Sequence, residues 1–189
     1  MATGVFIFLA VLVGLIIIAI FVTIGMYNSI VSLRNKVDNA WHQIDVQLRK
    51  RYDLIPNLVE TVKGYAKHER ETLESVINAR KIGIDAQTVK EQAKAENMIT
   101  GALKSLFALA ENYPDLKADQ HFLKLMDQLN GIESNIAYAR QFYNDMVMKF
   151  NTKIQTFPGN IFAKIFNFTQ KDYFEIEEPE ARKPVEVKF

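Results

Sequence analysis

Few side chains in this 189-residue chain are arranged for chemistry. Its three histidines are His42, His68 and His121. His68-Glu69-Arg70-Glu71-Thr72 opens like an H-E-x-x-H helix, in which imidazoles four residues apart share one face and grip a zinc ion. Here the second imidazole is replaced by Thr72, and His42 and His121 lie on other segments without companion ligands, so no metal site is expected. There is no cysteine, which excludes disulfides, thiolate nucleophiles and zinc–thiolate centres. No phosphate-cradling G-x-x-x-x-G-K-[ST], dinucleotide G-x-G-x-x-G or nucleophile-elbow G-x-S-x-G occurs. Glu69, Glu71 and Glu74 have acid–base capacity, but beside Lys67, Arg70 and Lys81 at helical spacing they read as a solvated, ion-paired face. An enzyme would need a nucleophile, a base and a group orienting the base, and no such set is visible. No catalytic residue and no cofactor is therefore expected.

Charge narrows the partners. A formal net charge of +1 lacks the clustered basic excess of a nucleic-acid binder, so nucleic acid is not expected. Arg49-Lys50-Arg51 is the densest basic run; it suits either phosphate and lipid head groups or a solvated helix end. Asparagine is a poor helix former, yet it recurs at Asn28, Asn35, Asn39, Asn57, Asn135, Asn144 and Asn151. Two readings account for it: hydrogen bonds that fix the register of packed helices, or a polar interface between subunits.

The elements that must position these groups begin with an anchor. No charged side chain precedes Arg34, and residues 5–24 read VFIFLAVLVGLIIIAIFVTI. About 20 apolar residues rising 1.5 Å each match a hydrocarbon core of about 30 Å. The four residues before the run carry no Lys or Arg, and the run is long for a signal peptide, so an uncleaved single-pass anchor in the cell (inner) membrane is expected. Arg34 and Lys36 follow the span, which by the positive-inside rule puts the N-terminus outside and the remainder in the cytoplasm.

Beyond the anchor the apolar spacing is helical throughout. Ile30, Leu33, Val37, Trp41, Ile44 and Leu48 form one stripe. Asp53 and Pro56 are expected to open a second helix, which ends at Gly83 as a left-handed stop. Thr88 and Glu91 form a capping box for a third. Asp119 caps a fourth, whose seam runs Phe122, Leu125, Leu129, Ile132, Ile136, Ala139, Tyr143, Met146, Phe150 with the coiled-coil alternation of three and four. Trp41, Ile44, Leu129, Ile136 and Tyr143 are the expected core. The predicted architecture is all-α: a transmembrane helix (1–27), an up-down antiparallel four-helix bundle (28–157), and a short apolar segment with an extended C-terminal tail (158–189). The first and third connections would share the membrane-distal end, making Arg51, Asp53, Asn57, Asp115 and Lys117 a candidate interaction surface. The fourth helix would return to the membrane, where Ile161, Phe162, Lys164, Ile165 and Phe166 have the composition of a short interfacial helix.

Taken together, several stretches resemble the LemA family of bacterial membrane proteins. They are Tyr27-Asn28, Asn39-Ala40-Trp41, QIDVQLRKRYDLIPNLVETVKGY (43–65), YPDLKA (113–118), IAYARQFYND (136–145) and FNTKIQTFPGN (150–160). The resemblance implies an anchored helical bundle and supplies no catalytic residues. It implies, by association only, a membrane protein partner such as a membrane metalloprotease. Some relatives resemble lipoproteins with a cysteine near the Tyr-Asn pair; this chain has none, so that modification is excluded. The resulting expectation is a non-enzymatic, homo-oligomeric scaffold or adaptor at the bilayer, with lipid binding at the membrane surface as the alternative.

Overall fold

The computed structural model describes residues 2–66 and 68–175, with only the backbone of Ala2. The described residues are all-α, in the order α1 (Ala2–Tyr65), α2 (Arg70–Asp85), α3 (Val89–Ala110), α4 (Pro114–Ala118), α5 (Gln120–Gln155) and α6 (Gly159–Ile165). The tail is described, without helix, as far as Glu175; the rest of it lies outside the described residues.

The connections differ from those expected. Pro56 does not start a new helix; it lies inside α1. A helical proline has no N–H for the carbonyl four residues earlier, which here is that of Tyr52. Arg80 of α2 fills the vacancy: its Nε donates to the Tyr52 carbonyl at 2.7 Å. With the orphaned acceptor satisfied from outside, the helix runs on to Tyr65. The uninterrupted stretch 28–65 is then about 57 Å long and α5 about 54 Å. Gly83 is likewise not a stop. It lies within α2, and no glycine among the described residues has positive φ. A Cβ at Gly83 would meet Tyr52 Oη at 2.7 Å and Cζ at 2.9 Å, so the glycine makes room for a tyrosine. The start of α3 agrees with the sequence: Thr88 Oγ1 accepts from Glu91 N–H at 3.2 Å and the Glu91 carboxylate accepts from Thr88 N–H at 3.1 Å. Asp119 also caps as expected, Oδ1 accepting from Phe122 N–H at 2.8 Å.

Two compact units emerge. The first joins Met1–Trp41 to Asn144–Lys171. Its α1 begins with the apolar run 5–24, whose side chains are exposed all round except for half-buried Gly14 and Thr23. Thr23 Oγ1 bonds back to the Ala19 carbonyl at 2.8 Å, which satisfies the hydroxyl inside its own helix. Below the run, Ile30, Val37, Ala40, Met146, Val147, Phe150 and Ile154 are buried, and Trp41 is only half-buried. Asn151 is buried among them and clamps an extended segment rather than a second helix. Its Nδ2 donates to the Lys171 carbonyl and its Oδ1 accepts from Lys171 N–H, both at 2.9 Å. Lys171 Nζ then reaches Asp38 at 3.1 Å.

The second unit joins His42–Tyr143 to the segment that starts at Asp172. Its core takes Ile44, Leu48, Ile55, Leu58 and Val62 from α1, Val76 from α2, Ile99 and Leu106 from α3, and Phe122, Leu129, Ile136 and Tyr143 from α5. Phe174 is fully buried, and Tyr143 Oη donates to the Asp172 carbonyl at 2.9 Å, which pins the tail to α5.

Candidate functional site

Four of the polar side chains that the second unit takes out of water form a connected set. Arg51 and Tyr52 of α1, and Gln92 and Glu96 of α3, are all buried, Glu96 completely. They are inward-facing because of spacing: Arg51 continues the stripe Ile44, Leu48, Ile55, and Glu96 falls between Gln92 and Ile99 on the buried face of α3. Arg51 Nη1 donates to Glu96 Oε2 at 2.7 Å and Nη2 to Thr100 Oγ1 at 3.1 Å. Arg51 Nη2 also pairs with Glu133 Oε2 of α5 at 2.9 Å. Tyr52 Oη donates to the other Glu96 oxygen and accepts from Gln92 Nε2. One guanidinium thus ties three helices, in the forked geometry that suits Arg and not Lys.

Burial pushes the Glu96 carboxyl above its ordinary range, and neither Arg51 nor the Tyr52 hydroxyl fully offsets it; the Glu133 charge adds to the rise. Two carboxyls nearer the surface move the other way, lowered by the hydrogen bonds they accept at helix starts. Glu91 accepts from the Gln87 and Thr88 N–H groups, and Asp119 from Phe122 N–H and the Tyr65 hydroxyl. Glu96 and Tyr52 are occupied by donors and acceptors of the chain itself and shielded from solvent, so the cluster is a clamp between helices rather than a centre with room for a substrate.

This placement changes the candidate interaction surface. Arg51 is withdrawn from it: the residue is 4 % exposed and committed to Glu96 and Glu133, because the turn expected at Asp53 does not form. Asp53 and Asn57 are exposed on α1, and Asp115 and Lys117 on α4. The structure does not gather them. Tyr65 is the α1 residue that reaches this connection, its hydroxyl donating to Asp119 at 3.0 Å. Asn57 and Asp53 lie about 12 and 18 Å earlier along the helix. Asp53 instead borders an open groove with Lys50, Leu54, Gln128, Gly131 and Asn135. Of the second candidate set, Ile161, Lys164, Ile165 and Phe166 are exposed and Phe162 half-buried, on and just after α6. Among the described residues no three His, Asp or Glu side chains converge as metal ligands. Sequence reasoning missed Glu96 and Gln92, although both continue the apolar rhythm of α3 three and seven residues before Ile99.

A helix long and apolar enough to cross a bilayer, joined to further helices tied by buried polar contacts, defines an all-helical, membrane-associated class. Residues 40–189 match the LemA family, and the chain belongs to it. It is similar to Protein LemA of Metamycoplasma hominis, 29% identical over 164 residues covering 85% of this chain and 74% of that protein. It is also similar to magnetosome protein MamQ 2 of Paramagnetospirillum magneticum and magnetosome protein MamQ of Magnetospirillum gryphiswaldense. Each is 24% identical over 185 residues, covering 84% of this chain and 68% of the relative. None of these names states a reaction.

Proposed function

We propose that the protein is a non-enzymatic, membrane-anchored scaffold that self-associates and holds its helices out to partner proteins. The observation that carries this reading is a polar seam on α1 directly after the apolar run. Asn28, Ser32, Asn35 and Asn39 are exposed and recur at steps of four, three and four, on the face opposite buried Ile30, Val37 and Ala40. Val31 and Lys36 flank the same stripe.

Such spacing is that of a coiled-coil seam, and asparagine at seam positions fixes register and oligomer state at some cost in stability. Weak seams suffice when copies are concentrated, and anchoring in one membrane raises effective concentration. Chains inserted the same way are also parallel, which brings each asparagine opposite its own counterpart. A second copy is therefore the occupant proposed for this face. Exposed Asp53, Asn57, Asp115 and Lys117 remain for other proteins, a membrane metalloprotease being the class that the family resemblance implies.

The chain has no cysteine, so one introduced at Asn35 reports on the seam alone. In native membranes Asn35→Cys should form crosslinked dimers with a short bis-maleimide, while Arg34→Cys, exposed but a third of a turn off the stripe, should form several-fold fewer. Equal yields at both positions would remove the seam, and a monomeric native mass in mild detergent and in nanodiscs would remove the scaffold reading.

A further inference from the structure

We infer that α6 and the aromatic residues after it form an interfacial foot that lies in the lipid surface beside the span. Within the first unit, the inward side of this short helix is small: Gly159 and Ala163, one turn apart, are buried. A Cβ at Gly159 would fall 2.0 Å from the Lys153 carbonyl oxygen, so the glycine lets the turn fold close against the end of α5. The outward side is apolar and uncovered. Phe157 is 80 % exposed, Ile161 48 %, Ile165 61 % and Phe166 40 %. Asn167 closes the helix in the left-handed region at φ 57°, and Phe168 N–H returns to the Ala163 carbonyl at 2.9 Å, a Schellman-type end that asparagine tolerates.

That closure delivers two rings to one place on α1. Phe166 meets Tyr27 edge-on with ring centroids 4.8 Å apart, and Phe168 lies at 5.9 Å. Tyr27 follows the last residue of the apolar run, Ile24, by three positions, or about 4.5 Å of helix rise. It stands where tyrosines collect in membrane proteins, at head-group level. The contacts to Tyr27 therefore hold Phe166 and Phe168, and with them the C-terminal end of α6, beside the part of α1 that leaves the apolar run. At that height the medium is lipid, and helices of this kind bury their apolar side about 5–10 Å into the head-group and acyl boundary. Seven residues bind a bilayer weakly alone, but the span supplies the tether. Lys164 is the only cation in α6, so apolar burial rather than attraction to anionic lipid drives the contact.

The test uses the full chain in phosphatidylcholine vesicles, with a single environment-sensitive fluorophore on Ile161→Cys or Ile165→Cys and, for comparison, on exposed Asp115→Cys. The labels at Ile161 and Ile165 should be blue-shifted and quenched several-fold more by lipids spin-labelled high on the acyl chain than the label at Asp115. They should also be protected from aqueous iodide, and adding phosphatidylglycerol should change little. Iodide quenching equal to that at Asp115 would overturn the foot by placing the residues in water. Protection from both quenchers would overturn it too, by placing them under protein. Ile161→Ser with Ile165→Ser should leave the melting temperature in detergent unchanged; a fall would assign the face to the protein core. The inference rests on the membrane anchor and not on the asparagine seam, so the crosslinking and quenching experiments fail independently.

Discussion

At the scale of residues, the clamp sets opposing terms against each other. Burying Arg51 and Glu96 costs hydration that their pairing only partly returns, and a buried pair costs most when half of it is removed. Arg51→Ala would leave a carboxylate in the core and should destabilise by about 3–5 kcal/mol, whereas Arg51→Met with Glu96→Leu should recover most of that loss. The pH dependence has a definite sign. Because the folded Glu96 carboxyl titrates above its ordinary value of 4.5, the folded state binds the proton more tightly than the unfolded chain does. Its contribution is fully present below pH 4.5 and is lost as pH rises through the folded value. Urea midpoints should therefore fall over that window in the parent and stay flat in Glu96→Gln. Glu91 and Asp119 act in the opposite sense and lower down. Their lowered carboxyls stabilise above the ordinary values of 4.5 and 3.8, and that help is lost as pH falls. A midpoint profile of Glu96→Gln that still falls above pH 4.5 would show that another group sets the slope.

At the scale of elements, the instructive case is a proline that does not break its helix. Local rules put a boundary before Pro56, since a proline beyond the first turn forfeits a hydrogen bond and crowds the preceding carbonyl. What overrides them is Arg80, 24 residues later in α2, half-buried with its Nε on the orphaned Tyr52 oxygen. The account predicts a coupling. Arg80→Leu should cost about 1.5–3 kcal/mol, the range for a hydrogen bond from a charged donor. In a Pro56→Ala background, where Ala would offer its own N–H to Tyr52, the same change should cost clearly less; equal costs in the double-mutant cycle would discount the compensation. This case also shows what the sequence made legible. Periodicity located the helical class, the core residues Ile44, Leu129, Ile136 and Tyr143, and both side-chain caps at Thr88 and Asp119, because those depend on neighbours within a turn. It misplaced the connection at Asp53, and with it Arg51, because the deciding interactions come from other helices. Gly83 was misread for the same reason: nothing near it in sequence reveals that Tyr52 lies against its α-carbon. The buried Glu96 was within reach, since its place in the α3 stripe contradicts its charge, and a charge in a core stripe calls for a partner.

At the scale of the whole molecule, the charges flanking the apolar run bias which side of the bilayer holds the helices that follow it. The chain offers an asymmetric flank: no charged side chain before the apolar run, then exposed Arg34 and Lys36 within about 18 Å of its end. Lysine and arginine near a span resist translocation, while Asp38 beside them contributes little to orientation. The bias therefore predicts cytoplasmic helices, with the N-terminal end of the span outside. Asp119 is a poor reporter position, because its carboxylate caps α5 and meets Tyr65. Lys104 on α3 is exposed, and a cysteine there is the only thiol in the chain. In sealed spheroplasts Lys104→Cys should stay unlabelled by a membrane-impermeant maleimide and become fully labelled once detergent opens the membrane. Adding Arg34→Glu and Lys36→Glu should then move part of the population to the accessible side, because it removes the basic residues behind the predicted bias. Full labelling of the single variant before permeabilisation would reverse the topology, and an unchanged pattern in the charge-reversed protein would show that some feature other than Arg34 and Lys36 sets it.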